Sequence, residues 1–330
     1  MSLAIWFVIG LALVFDFLNG LHDSSNIVAT VISSRAMAPR RVLLMTAVAH
    51  FVGPFLFGVA VATTIGHEVV QEASVTLPVI EAGLISAIIW NLFTWFFGIP
   101  SSSSHALVGG IVGAVWLQSG WDALRMEGLT KVLVALLISP LLGLIIGYLV
   151  MKTVLFLARG ASPRINWVFK RGQWGTALWL GLSHGTNDAQ KTMGIITMAL
   201  LADGVISKFV VPTWVIALSA AAIALGTALG GWRLIRTLGG KFYKIRPVHG
   251  FTSQISSATV ILGAALLGGP VSTTQVVSSA ILGVGSAERV SKVRWGVAGQ
   301  IVTAWVLTIP ATAAVAALVY GVFAWIRGEL

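Results

Sequence analysis

The chain has 330 residues, of which 57% are apolar and only 10% charged, and its formal net charge at pH 7 is +10. A soluble globular domain carries roughly 25% charged residues, so this composition excludes an ordinary water-soluble fold. There is no cysteine, which excludes disulfides, thiolate metal sites and thiol nucleophiles. The positive charge could suggest nucleic acid, but it lies in short loops between apolar stretches, where anionic lipid headgroups are the usual partner. We therefore predict an all-α polytopic membrane protein that does not bind nucleic acid.

Six apolar stretches are the clearest candidates for spans, because a hydrocarbon core takes about 20 residues of helix. They occupy residues 6–18, 42–62, 79–98, 132–150, 214–231 and 297–325. A helix satisfies its own backbone in lipid whereas an open strand does not, so we predict helices. The first stretch has no basic segment before it, and Asp16 and Asn19 stand where a signal peptide has small cleavage-site residues. We interpret it as a mature span.

The loops alternate in charge along the chain. Most Lys and Arg residues fall in the loops 35–41, 152–171, 233–247 and 289–294. The loops poor in Lys and Arg are 63–78, 118–128 and 203–211. Basic loops stay on the cytoplasmic side, so this alternation predicts an outer N-terminus and assigns each loop to a side.

Two pairs of segments resemble each other within the chain. NGLHDSSN at 19–26 aligns with HGTNDAQK at 184–191, and PSSSSHALVGGIVG at 100–113 aligns with PVSTTQVVSSAILG at 270–283. The offsets, 165 and 170, are close to half the chain length. Together with the loop charges, they predict two inverted-topology repeats, an arrangement known in transporters. The first repeat takes residues 1–151, a basic cytoplasmic linker takes 152–172, and the second repeat takes 173–330.

The apolar runs 79–117 and 251–285 are each interrupted by Pro followed by hydroxyl residues. Pro supports the start of a helix but not its middle, and Ser or Thr can cap the free amides of a new helix. Each run is therefore either two full spans or an intramembrane helical hairpin. We favour hairpins, because a polar turn at membrane depth is tolerated where it lines a cavity.

Four ionisable residues fall within predicted spans: Asp16, Asp23, Asp188 and Lys191. Such residues are costly in lipid and indicate a functional site. Asp23 and Asp188 are related by the repeat, and the Gly and Asn beside them predict a helix break at each. We expect both breaks to meet at the midplane, where carboxylates and amides bind cations and the Ser/Thr tracts at the helix starts bind an anion. Lys191 supplies part of the positive charge, and co-bound cations supply the rest, which favours symport.

Some of these residues also have a purely structural interpretation. Hydroxyls often bond at helix contacts in membranes, and Asp16 has no counterpart in the second half. His22 and His184 adjoin the Asp motifs and could belong to the site or to the core. His50 and His105 are interpreted as core residues.

The sequence argues against an enzyme. Ser104 and His105 are adjacent, so their side chains diverge on a helix and cannot form a nucleophile–base pair. No Gly-x-Ser-x-Gly, Walker A or His-Glu-x-x-His motif is present. Transport is therefore driven by an ion gradient or is passive.

The motifs FDFLNGLHDSSNIVAT at 15–30, PSSSSHALVGG at 100–110, GLSHGTNDAQKTMGII at 181–196 and VSTTQVVSSAILGVG at 271–285 resemble the inorganic phosphate transporter family. The resemblance covers both halves of the chain. It implies a homodimeric phosphate symporter with inverted repeats, discontinuous helices and intramembrane hairpins. It also implies that phosphate and its coupling cations bind between Asp23, Asn26, Ser103, Ser104, Asn187, Asp188, Thr273 and Thr274.

The predicted site combines these residues with those found from the repeat. The expected phosphate ligands are Asn26, Ser102, Ser103, Ser104, Asn187, Lys191, Ser272, Thr273 and Thr274. The expected cation ligands are Asp23, Asp188, Asn187, Ser103 and Thr273, with Asp23 and Asp188 as ligands of sodium in a sodium-coupled protein. No cofactor is predicted, since the sodium ions or protons are transported with the anion.

The coupling ion and the anion stay open at this level. The oxygen-rich lining favours sodium slightly over protons. His50, however, stands where sodium-coupled members of the family often have Glu, and Gln275 where members often have His. The alternatives are a proton-coupled carrier of a metal–phosphate complex, a carrier of sulfate or another oxyanion, and an anion channel. The short linker indicates a multi-pass protein of a prokaryotic inner membrane.

Overall fold

The computed structural model describes residues 2–71 and 74–328. Within these residues it contains twelve α-helices and no strand beyond one isolated bridge between Val70 and Leu124. The helices are α1 (Leu3–Ser33), α2 (Pro39–Leu56), α3 (Ala60–Thr63), α4 (Leu77–Phe97), α5 (Ser103–Ser119), α6 (Met126–Leu157), α7 (Ile165–Ala202), α8 (Thr213–Leu229), α9 (Trp232–Gly240), α10 (Pro247–Leu266), α11 (Thr273–Glu288) and α12 (Trp295–Arg327). The lengths of the helices from α1 to α6 follow a similar succession to those from α7 to α12.

The predicted all-α membrane fold is confirmed. Four helices, α1, α4, α6 and α12, are long and apolar enough to cross a bilayer. The pairs α2–α3 and α8–α9 also qualify by composition, but α2 is bent by 75° from the segment Ala60–Glu68 and α8 by 70° from α9. Counting each bent pair as one span gives up to six spans among the described residues.

The stretch 42–62, expected as a single span, is a broken helix. Helix α2 ends at Leu56, Gly58 has a φ of +80°, and a new helix begins at Ala60. The amides at the start of this new helix have no partner of their own. The side chain of Gln190 on α7 supplies one, accepting hydrogen bonds from the amides of Val61 at 2.8 Å and Ala62 at 3.3 Å. A side chain from a neighbouring helix thus replaces the hydrogen bonds that the break removes.

The breaks expected at Asp23 and Asp188 are absent, which corrects the sequence interpretation. Helices α1 and α7 run without interruption through both residues. The neighbouring glycines allow close packing instead. A Cβ on Gly20 would lie 2.1 Å from the carbonyl oxygen of Ile223, and a Cβ on Gly185 would lie 2.6 Å from the Cα of His50.

The two Pro-containing runs form antiparallel helix pairs that return to the end from which they start. At the open end of α4–α5, the hydroxyl of Thr76 donates a 2.7 Å hydrogen bond to Gln118. At the open end of α10–α11, Arg246 forms an ion pair with Glu288. These contacts agree with the predicted out-and-back course of both runs. At their closed ends, α5 and α11 begin at buried residues, and α5 packs mainly against α12 and α11 against α6.

A layer of buried polar residues separates two apolar clusters. The first cluster contains residues 5–15 of α1 together with residues 189–200 of α7. The second contains residues 27–31 of α1 and residues 177–180 of α7. Helices α1 and α7 are therefore antiparallel where they meet, and their polar residues lie between the clusters, closed off at both ends by apolar side chains.

We predict that the contact between α1 and α8 is sensitive to a single methyl group. A Cβ on Gly226 would lie 1.9 Å from the carbonyl oxygen of Phe17, so Gly226→Ala should destabilise the fold by about 1–3 kcal/mol. The measurement is thermal unfolding of the purified protein in detergent. Gly263→Ala is the matched control, because a Cβ there meets nothing within 4 Å and Ala favours a helix. Equal melting temperatures for the two variants would contradict the close α1–α8 contact.

Candidate functional site

The two repeat-related aspartates lie close together in the polar layer, joined by one hydroxyl. Asp23 on α1 and Asp188 on α7 are both buried, with 2% and 1% of their surface exposed. The hydroxyl of Thr273, the first residue of α11, lies 3.3 Å from Asp23 Oδ2 and 3.0 Å from Asp188 Oδ2. The N-terminus of α11 is therefore in contact with both carboxylates.

Asp23 is held by two further side chains. The hydroxyl of Thr274 donates a 2.7 Å hydrogen bond to Asp23 Oδ1, and Asn26 Nδ2 donates to the same oxygen at 2.9 Å. Asn26 Nδ2 also lies 3.1 Å from the Thr274 hydroxyl. The spacing of Asp23 and Asn26, three residues apart on α1, puts both on one face of the helix. This side of the site presents carboxylate, amide and hydroxyl oxygens, which are the ligands that hard cations prefer.

His184 completes the centre of the site. Its Nδ1 lies 3.0 Å from Asp188 Oδ2, and its Nε2 lies 3.4 Å from Asn26 Nδ2. One ligand atom from each of Asp23, His184 and Asp188 lies within 4.8 Å of the others. Two carboxylates and an imidazole at this separation could hold a metal ion or share a proton.

Lys191 faces Asp188 from the next turn of α7. Its ammonium group forms an ion pair with Asp188 Oδ1 and donates to the hydroxyl of Ser104 at 2.6 Å and to the carbonyl of Val271 at 3.1 Å. Only 1% of Lys191 is exposed. Ser104 in turn donates to the carbonyl of Val271 at 3.1 Å. A buried cation thus connects α7 to the starts of both α5 and α11.

The hydroxyls of Ser102 and Ser272 are engaged with their own helices. Ser102 Oγ accepts a hydrogen bond from the amide of His105 at 3.1 Å, and Ser272 Oγ accepts one from the amide of Gln275 at 3.4 Å. Both residues are N-caps. They orient the two helix N-termini, whose dipoles favour a bound anion, and each hydroxyl can still donate its own hydrogen to an anion.

Three polar atoms of the predicted site are buried and have no hydrogen-bond partner: Asn26 Oδ1, Ser103 Oγ and Asn187 Oδ1. Asn187 donates through its amide nitrogen to the carbonyl of Gly269 at 3.3 Å, which holds its free oxygen in place. Buried polar atoms normally find partners. These three are therefore available to a ligand, and the structure brings all the predicted site residues into one region.

Three further histidines lie around the site. His50 stacks on His184 with ring centroids 5.0 Å apart and lies 2.7 Å from the hydroxyl of Thr227. His22 lies 3.8 Å from Asp23 Oδ1. His105 lies 3.3 Å from Gln275, its counterpart at the offset of 170.

The central position of His184 could not be chosen from the sequence. It aligns with Asn19 in the first half, while His22 aligns with Asn187, so the internal symmetry ranks neither histidine above the other. The spacing of His184 and Asp188, four residues apart on one helix face, is the one local signal for their pairing.

The chain is similar along most of its length to known membrane transport proteins. The model of the "Phosphate transporter family" matches residues 19–316. The chain is 46% identical over 315 residues to a "Probable low-affinity inorganic phosphate transporter" of Rhizobium meliloti (strain 1021), covering 95% of this chain and 94% of that protein. It is 44% identical over 313 residues to a protein of the same description from Bacillus subtilis (strain 168), covering 94% of each.

A solved structure described as "The sodium-dependent phosphate transporter" matches with a TM-score of 0.88 at 25% identity, covering 98% of this chain and 100% of that one. The family model spans most of the chain, and transport rather than enzymatic chemistry is the activity of its members. The chain has a polar layer between apolar helices, and the family model and the relatives match nearly its whole length. This multi-pass membrane protein therefore belongs to the phosphate transporter family.

Proposed function

We propose that this protein is a secondary symporter that moves inorganic phosphate together with a cation down the cation's gradient. The observation that carries the proposal is the contact of opposite charges in one buried site. Asp23 and Asp188 offer cation ligands, while Lys191 and the N-termini of α5 and α11 offer positive charge to an anion. A site that bound a single ion would not need cation ligands and anion-binding groups together.

The charge balance of the site supports coupling. Asp23, Asp188 and Lys191 sum to −1, and a divalent phosphate brings the total to −3. Hydrogen bonds to charged groups return about 1.5–3 kcal/mol each, far less than burying such a charge costs. About two monovalent cations, or one divalent metal ion and a proton, would bring the occupied site near neutrality. An anion channel lined by the same carboxylates would repel its own ion.

The acceptor groups of the site favour phosphate over sulfate. A monohydrogen phosphate carries a proton that it can donate to the carboxylate of Asp23 or Asp188. Sulfate at neutral pH has acceptor oxygens only and would face Asp23 or Asp188 without a hydrogen bond. A buried acceptor left without a donor costs about 1–3 kcal/mol.

The oxygen ligands around Asp23 favour sodium as the coupling ion, and the matched sodium-dependent structure is consistent with it. One observation favours a second candidate, proton-coupled transport of a metal–phosphate complex. His184 has a ring nitrogen within 4.8 Å of an oxygen of each carboxylate, and imidazole binds protons and divalent metals more readily than sodium.

Uptake of labelled phosphate into liposomes under separate sodium, proton and magnesium gradients tests the proposal. Sodium coupling predicts uptake that collapses when choline replaces sodium. Undiminished uptake in choline that a protonophore abolishes would establish the proton-coupled candidate instead. Phosphate inside the liposomes should also accelerate uptake of label, since a carrier exchanges its substrate. Uptake without this acceleration and without a gradient requirement would indicate a channel.

We also propose the inverted repeat architecture, with residues 1–151 and 173–330 as the two halves and 152–172 as a cytoplasmic linker. The antiparallel contact of α1 with α7, its counterpart in the second half, supports the inversion. Residence in a prokaryotic inner membrane is part of the same proposal, supported by the bacterial relatives and the short linker. The homodimer is proposed from the family resemblance alone.

Single cysteines test the direction of the chain cleanly, because the protein has none. Lys208→Cys and Lys244→Cys both introduce an exposed thiol. We expect an impermeant maleimide to label position 208 from the outer side of intact cells and position 244 from the cytoplasmic side of inverted vesicles. Labelling of both positions from the same side would contradict the inverted arrangement.

A further inference from the structure

A second group of buried polar side chains lies next to the central site, and the proposed mechanism does not use it. Asp16 is 0% exposed, and neither oxygen of its carboxylate has a hydrogen-bond partner. Neither atom of the Asn19 amide is bonded, although Asn19 is only 1% exposed. The hydroxyl of Thr192, 0% exposed, is also without a partner.

Helix geometry brings these residues together. Asp16, Asn19 and Asp23 are spaced i, i+3 and i+7 on α1, so they share one face. Asp188 and Thr192 are likewise one turn apart on α7. Asn19 lies one turn from Asp16 on α1, and the antiparallel packing of α7 brings Thr192 beside the Asp16 carboxylate. The group is therefore a second polar level, about 10 Å along α1 from Asp23 at 1.5 Å per residue.

Asp16 lacks a positive partner of its own. The charged groups that act on it are Asp188, which repels it, and Lys191. Lys191 is already occupied by Asp188, Ser104 and the carbonyl of Val271. Two of the other helices that pack on α1 carry no cation, since α8 has no ionisable residue and α4 has Glu81 alone. A buried carboxylate in this position is normally neutralised by a bound ion or proton.

We propose that Asp16, Asn19 and Thr192 form a second cation site, separate from Asp23, His184 and Asp188, that takes one monovalent cation. A single carboxylate balances a single positive charge. The amide and hydroxyl oxygens beside it are hard neutral ligands, and no imidazole is present to attract a transition metal. Sodium and the proton are both monovalent cations that a buried carboxylate can bind. The inference rests on the proposed symport, because a cation bound here moves with phosphate and adds one charge to each transport cycle.

Counting bound cations tests the site. Purified wild type, Asp16→Asn and Thr192→Val are compared for labelled phosphate bound, labelled sodium bound, and protons taken up on phosphate binding in weak buffer. Asparagine keeps the size of Asp16 but removes its charge, and valine removes only the hydroxyl of Thr192. Asp122→Asn, at an exposed position, is the matched control. Size-exclusion profiles establish that each variant is folded.

We expect Asp16→Asn to lower the cations bound per phosphate by one while it still binds phosphate. A loss from the sodium count identifies sodium, and a loss from the proton count identifies a proton. Thr192→Val should raise the half-saturating concentration of the same cation about fivefold to tenfold, as loss of one ligand bond does. Unchanged counts in a folded Asp16→Asn protein that binds phosphate would overturn the second site. Failure of the wild type to bind phosphate would instead contradict the proposed symport itself and, with it, this inference.

Discussion

Asp23→Asn is expected to reduce gradient-driven phosphate uptake by about a hundredfold or more while the protein remains folded. Asparagine retains the size of the side chain but removes the negative charge that faces the cation. Removing one partner of a buried charged contact costs about 3–5 kcal/mol, which corresponds to this loss. The fold should survive, because Asp188 still pairs with Lys191 and the apolar clusters on both sides are unchanged. Uptake into liposomes and the melting temperature are measured on the same preparation.

Asp188→Asn should lose uptake to a similar extent but should also lower the melting temperature, since it leaves Lys191 buried without its carboxylate. Asp122→Asn, at an exposed position, is the control for the loss of one negative charge and should transport at the wild-type rate. If both site variants transport as fast as this control, the coupling cation binds elsewhere.

Lys191→Met is expected to weaken phosphate binding by about a hundredfold and to destabilise the protein by about 3–5 kcal/mol, because Asp188 is left as an uncompensated buried charge. Methionine approximates the length and apolar stem of lysine, so packing changes little. The measurements are labelled-phosphate binding and thermal unfolding in detergent. Lys208→Met, at an exposed position, controls for the loss of a positive charge and should leave both quantities unchanged.

The double variant Lys191→Met with Asp188→Asn separates stability from function. With both charges removed, the melting temperature should return toward that of the wild type, because no uncompensated charge remains. Phosphate binding and uptake should stay lost, since the site still lacks the positive charge of Lys191 that faces the anion. Recovery of uptake in the double variant would mean that the ion pair only supports the fold.

The class of the protein and much of its site were determined by the sequence. Composition alone excludes a soluble fold, because too few charged residues are present to cover a water-exposed surface. The internal match at offsets of 165 and 170 selected Asp23, Asp188 and both hydroxyl tracts. An ionisable residue that recurs in two apolar segments is too costly to retain without a use, so the repeat by itself predicts the site.

Only the tertiary structure decided where the helices break. Glycine beside Asp23 and Asp188 indicated a break at each, but Gly20 and Gly185 serve close packing against Ile223 and His50 instead. A local pattern cannot distinguish a glycine that bends a helix from one that lets another backbone approach, because the difference lies in a distant segment. The actual breaks, after Leu56 and after Leu229, depend on such partners as well. At the first break, Gln190 accepts hydrogen bonds from the amides of Val61 and Ala62. At the second, Ser24 accepts one from the amide of Gly231 at 2.9 Å.

The identity of the central histidine and the second polar level were also decided by tertiary contacts. His22 and His184 both belong to an Asp motif, yet of the two only His184 forms a group with both carboxylates in which the ligand atoms lie within 4.8 Å of one another. Asp16 has no counterpart in the second half, and its neighbour Thr192 comes from a helix 176 positions further along the chain. Sequence periodicity reports which residues share a face of one helix. Which faces of two helices meet, and at what height, follows from the packing of the whole bundle.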